Sequence, residues 1–185
     1  MTVFADSSAV VKLYADEAGH EEMRSLGPVA VAQLARVEVP SAFWRKCRLG
    51  ELAAEHAQVL AGAFEEDFYG TDQEVPRFAV IATTVSILDD AARLCAVHGL
   101  GAYDAVQLAA ALAVRQADPQ CSSMAAFDMS LRVAAAAEGL ERARRVLALQ
   151  SLDADWVGGR RCRCGGRRCG CGGLGRHEGL VPLVE

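Results

Sequence analysis

The folded part of this chain has few cations. Residues 1–157 carry 13 Lys+Arg against 22 Asp+Glu, a balance of −9, while residues 158–185 carry 6 against 2, or +4, within a whole-chain charge of −5. An acidic body argues against nonspecific grip on long nucleic acid, which needs clustered Lys and Arg to neutralise phosphates. It leaves open a nuclease whose metal ions supply the local positive charge, or a basic protein partner. No run approaches the roughly 18 to 20 apolar residues of a membrane span. No basic segment precedes the first apolar stretch, which meets Asp6 almost at once, so no signal peptide is expected and the cytoplasm is the expected location. No Gly-x-Gly-x-x-Gly follows that first stretch, which speaks against a dinucleotide site. Asp6 is followed by Ser7-Ser8, without a second aspartate two residues on, which speaks against a phosphatase of that type. His20, His56 and His98 show no ligand spacing. Cys47, Cys95 and Cys121 are scattered and read as reduced thiols.

The remaining four cysteines lie in a tail whose composition turns abruptly to Gly, Arg and Cys near Trp156. Residues 1–150 are read as one folded domain, since about half of the chain is apolar and a core can form. Residues 151–185 are read as a disordered extension. Cys162-Arg163-Cys164 and Cys169-Gly170-Cys171, with His177 nearby, offer four thiolates for zinc. Paired structural ligands usually have two or more residues between them, however, and the segment has almost no apolar residue until Leu174 to pack around a metal. A basic extension whose arginines hold RNA electrostatically is the other use open to it.

Along the body, short apolar runs alternate with helical patterns. Strands are expected at Thr2 to Ala5, Val29 to Val31, Phe78 to Ala82 and Met124 to Phe127, with an edge strand at Arg145 to Leu149. Helices are expected from Ser7 to Ala15, Gly19 to Leu26, Gln33 to Leu49, Glu51 to Tyr69, Val85 to His98, Asp104 to Arg115 and Met129 to Glu138. Pro40 cannot donate to the carbonyl of Arg36, so the third helix is expected to kink there or to begin close to Glu38. The alternation predicts an α/β fold with parallel strands and right-handed crossovers.

Four acidic residues carry the chemistry: Asp6, Glu38, Asp104 and Asp128. Asp6 and Asp128 each follow an apolar run and precede a helical pattern, which places them at carboxyl ends of strands, where open α/β sheets bind ligands. Each has a plain alternative: Asp6 and Asp128 as helix caps, Asp104 as a charge favoured at a helix start, Glu38 on a solvated face. Gathered at one point, four carboxylates repel one another unless a cation lies between them. Carboxylate oxygens suit Mg2+ or Mn2+. One such ion activates water and polarises a phosphate; a second, roughly 4 Å away, stabilises the leaving oxygen.

The contexts of these residues resemble those of PIN-domain proteins. Val3-Phe4-Ala5-Asp6-Ser7-Ser8-Ala9-Val10-Val11-Lys12-Leu13-Tyr14 is similar to the family's opening, and Ala35-Arg36-Val37-Glu38-Val39-Pro40-Ser41-Ala42-Phe43-Trp44-Arg45 to its second acidic motif. His98-Gly99-Leu100-Gly101-Ala102-Tyr103-Asp104-Ala105-Val106-Gln107 resembles the third and is the most specific; Phe127-Asp128-Met129-Ser130-Leu131 resembles the fourth. The resemblance spans roughly residues 2–148 and is nearest to VapC-type toxins of bacterial toxin–antitoxin pairs. It implies a PIN-like three-layer α/β/α fold with a mostly parallel sheet of four to five strands. It further implies a Mg2+- or Mn2+-dependent endoribonuclease, restrained by a small antitoxin and forming a homodimer and a toxin–antitoxin hetero-oligomer. Carried over, Asp6, Glu38, Asp104 and Asp128 form the catalytic and metal-binding set, and Ser8 matches a hydroxyl position beside the first aspartate. Lys12 and Arg45 are candidates for RNA phosphates, against the alternative of ordinary surface cations. Tyr103 could stack on a base but is expected to be partly buried; Phe43 and Trp44 are expected as core or interface anchors. One departure is Gly101, where related toxins often carry arginine. A catalytically weak PIN-like module that binds RNA or a partner is the alternative reading.

Overall fold

A computed structural model describes residues 2–143. The elements are β1 (Val3–Ala5), α1 (Ser7–Tyr14), α2 (His20–Arg24), β2 (Val29–Ala32), α3 (Ala35–Arg48), α4 (Ala54–Tyr69), β3 (Phe78–Ile81), α5 (Val85–His98), α6 (Ala102–Ala117), β4 (Ser123–Ala125), α7 (Met129–Ala137) and β5 (Glu141–Arg142). The strands form one all-parallel sheet in the order β3-β2-β1-β4-β5. The expected edge strand over residues 145–149, and the tail with its cysteines, lie outside the described residues; β5 supplies the edge beside β4.

The three central strands are buried on both faces, as parallel strands between two helical layers must be. Strand periodicity divides them cleanly. Phe4, Ala30, Ala32 and Met124 turn to one side, where α5, α6 and α7 contribute Leu94, Leu108 and Leu131. Val3, Ala5, Val29, Val31, Phe78 and Ala125 turn to the other, against α1, α3 and α4. The second layer holds the aromatic packing: Phe43, Phe64, Phe68 and Phe78, with Tyr14 edge-on to Phe43 and Phe64. Each fully buried ring contributes about 1.5–3 kcal/mol of transfer free energy. On the first side, α6 buries Ala105, Ala109, Ala110 and Ala111, small side chains that let α5 and β2 approach closely.

Three boundaries differ from expectation. Helix α3 runs from Ala35 across Pro40, so it does not start late, close to Glu38. The orphaned carbonyl belongs to Arg36, an exposed residue, so water can satisfy it. Helix α4 begins at Ala54 rather than Glu51, and α6 begins at Ala102, which sets Asp104 in its first turn. No single helix among the described residues is long and apolar enough to cross a membrane.

Candidate functional site

Sheet order determines where a ligand can sit. From β1 the chain steps to β2 and β3 on one side, then crosses back to β4 and β5 on the other. The switch point lies between β1 and β4, and their carboxyl ends open a crevice there. Asp6 follows β1 directly and caps α1; Asp128 follows β4 and caps α7. Glu38 lies in the first turn of α3, after β2, and Asp104 in the first turn of α6. The capping expected of Asp6 and Asp128 is therefore real, with Asp6 accepting from the Ala9 amide and Asp128 from that of Leu131.

Capping does not account for the surroundings of these groups. Asp6 is 4% exposed. Burial pushes its carboxyl up to about 6, and the neighbouring charge of Glu38 adds to the rise, against the lowering effect of bonds from Ala9 and Ser8. Asp104 is also raised, first by burial, then by Asp128 and by Glu38. Asp6 is thus within reach of the charge of Glu38, and Asp104 within reach of those of Asp128 and Glu38. Among the described residues no group of three or more His, Cys, Asp or Glu side chains is placed, as the side chains stand, to hold a metal ion. The donors at this end of the sheet are all hard carboxylate oxygens, the ligand type that Mg2+ and Mn2+ take.

Ser8 binds the site to the sheet. Its Oγ lies 2.9 Å from each oxygen of Asp6 and accepts from the Phe127 amide at 3.2 Å, joining the ends of β1 and β4. Two residues that sequence reasoning passed over are equally engaged. Ser7 Oγ donates to Glu38 Oε2 at 2.6 Å, and Gln107 Nε2 donates to Ser7 Oγ at 2.8 Å and to Glu38 Oε2 at 2.6 Å. A signal for Gln107 was present: it follows Asp104 by three residues and so shares its helix face.

The cations are placed differently from one another. Lys12 is buried, with Nζ 2.8 Å from Glu17 and 4.3 Å from the Phe127 ring centroid. Glu17 also holds Lys46, and both lysines draw its carboxyl below the usual range although burial opposes them. Arg45 is exposed on α3. Tyr103 is 64% exposed rather than partly buried, because it lies on the outer side of the first turn of α6. Phe43 is a core residue and Trp44 is exposed. Gly101 has an ordinary backbone conformation, with φ −63°. A Cβ added there would meet only Asp104 Oδ2, at 3.7 Å, so neither space nor strain demands glycine.

A parallel sheet between two helical layers, with carboxylates at its switch point, defines a PIN-like α/β/α domain. Among solved structures, the fold is similar to that of VapC20 from Mycobacterium tuberculosis, described as a toxin that cleaves the sarcin–ricin loop. The TM-score is 0.53 at 18% identity, over 77% of this chain and 98% of that one. A second likeness is to PAE2754 from Pyrobaculum aerophilum, with TM-score 0.43 and 21% identity over 72% of this chain and 87% of that one. No protein-family model and no curated protein matches the sequence.

Proposed function

We propose that this protein is a divalent-metal-dependent endoribonuclease and the toxin of a type II toxin–antitoxin pair. The observation that carries the reading is that Asp6 and Asp128 cap helices, and Glu38 and Asp104 open them, around one switch-point crevice, where burial and then the charges of Asp128 and Glu38 raise Asp104. A fold like that of an RNA-cleaving toxin is consistent with it.

In this reading the four carboxylates hold Mg2+ or Mn2+, which supplies Lewis-acid polarisation of a phosphodiester and activation of water. The chain's own groups do the rest. Ser8 fixes Asp6 through both oxygens, and Ser7 with Gln107 fixes Glu38. Arg45, exposed on the helix that carries Glu38 and about two turns further on, is our candidate for contact with an RNA phosphate. Lys12 would have to leave Glu17 to do the same. Tyr103, exposed one residue before Asp104, offers a ring on which a base can stack. The reading brings with it a small antitoxin and a homodimer as partners. The acidic body suits an antitoxin segment that is basic.

A catalytically weak binding module is the second reading. It is favoured by carboxylates that are not placed, as they stand, to hold a metal ion and by the missing side chain at Gly101. Incubation of the purified chain with total RNA, in Mn2+ or in EDTA, separates the two. We expect discrete fragments in Mn2+, none in EDTA, and a loss of at least 100-fold in rate for Asp104→Ala. A folded Asp104→Ala protein that cuts at the wild-type rate overturns the nuclease assignment, and a folded wild type that cuts nothing moves it to the binding module.

A further inference from the structure

Gln107 is an expensive residue to keep where it is. It is 2% exposed, yet its Oε1 is a buried acceptor without a hydrogen-bond partner among the described residues. Such an orphan costs stability, and an apolar side chain of the same shape would avoid it. The other end of the amide is fully used, on Glu38 Oε2 at 2.6 Å and Ser7 Oγ at 2.8 Å. Reversing the amide would turn its oxygen against a carboxylate, so the orientation is dictated by Glu38. Ser7 has one proton and gives it to Glu38 Oε2 at 2.6 Å, leaving its lone pairs for the amide. Donors from α1 and α6 thus converge on a single oxygen of an α3 carboxylate. Bonds of this charge-assisted kind are the strong ones.

We propose that Gln107 and Ser7 are positioning residues that clamp Glu38 by Oε2 and so present its Oε1 to a divalent cation held among the carboxylates. The inference rests on the metal-dependent reading above. Glu38 is only partly buried, so without these bonds its carboxylate has room to swing into solvent. Gln107 shares a helix face with Asp104, so one turn of α6 carries both an acidic group of the site and the donor that holds Glu38. Outer hydrogen bonds to metal-binding carboxylates commonly set affinity by about 10–100-fold.

The test is Mn2+ titration of the full chain, followed by the electron paramagnetic resonance of the free ion, for wild type, Gln107→Met and Ser7→Ala. Thermal unfolding of each protein without metal runs beside it. The clamp predicts a dissociation constant weakened about tenfold or more in both variants. It also predicts that metal-free Gln107→Met loses less stability than metal affinity, because loss of the two amide bonds is partly offset by removal of the orphaned acceptor. In a Glu38→Gln background, Gln107→Met should change Mn2+ affinity no further. Wild-type affinity in both variants overturns the clamp alone, as does an affinity loss matched by an equal loss of metal-free stability. If Gln107→Met does not fold, Ser7→Ala decides. A wild type that binds no Mn2+ overturns the metal reading and the clamp together.

Discussion

Asp6 caps a helix and at the same time holds a carboxylate in a place nearly closed to water, and the two roles pull its protonation in opposite directions. Bonds from Ala9 and Ser8 favour the charged form, and burial, helped by Glu38, favours the neutral one and prevails. The sign of the pH dependence follows. The carboxyl ionises near 3.8 in the unfolded chain and near 6 in the folded one. Between those values the folded state holds the extra proton, so stability falls as pH rises through the window and stays low above it. The penalty is on the order of 2–3 kcal/mol. Asn at this position caps as well as Asp. Metal-free Asp6→Asn is therefore expected to melt higher than wild type at pH 8, with the gap closing toward pH 4; parallel stability curves would show that burial of the charge has no such cost. That Asp6, Glu38, Asp104 and Asp128 come to one end of the sheet was legible from their contexts. Gln107 gave only the weak signal of its three-residue spacing from Asp104, and Ser7 gave none, since a hydroxyl shows nothing until its helix is packed against the carboxylate it serves.

Four helices begin near the same end of the sheet, and their starts place the acidic groups: α1 after Asp6, α7 after Asp128, α3 and α6 with Glu38 and Asp104 in their first turns. The order and type of these elements were readable from alternating apolar runs. Their edges were not. Pro40 left open a start close to Glu38, whereas α3 starts at Ala35 and carries the proline inside it. One short connection supports the site from behind. Gly19 opens α2 with φ +93°, and a Cβ there would lie 2.5 Å from the Phe127 ring. That ring carries Lys12 on its face, and its residue donates to Ser8 and precedes Asp128. Gly19→Ala should cost about 1–3 kcal/mol through strain and overpacking, read by chemical denaturation. It should also slow any cleavage by displacing Phe127. A variant of wild-type stability would mean that this contact relaxes freely.

The whole described domain separates its work by face. Aromatic rings fill one side of the sheet, alanine-rich helices close the other, and the carboxyl ends of the strands are left to the acidic groups. That the sheet is parallel and sandwiched could be read from short buried strands alternating with helices. The strand order could not, because runs as alike as Val29-Ala30-Val31-Ala32 and Phe78-Ala79-Val80-Ile81 fit neighbouring places equally well until helix packing chooses between them. If the four carboxylates hold a cation, as proposed, its binding to the folded state alone adds stability. The most direct measurement is the melting temperature of the full chain as Mn2+ is added. At about 100 times the dissociation constant, binding should add about 2.7 kcal/mol and raise the midpoint by roughly 5–10 °C. Asp104→Asn and Glu38→Gln should lose most of that rise. A folded wild type whose melting temperature ignores Mn2+ would contradict a metal site at these carboxylates.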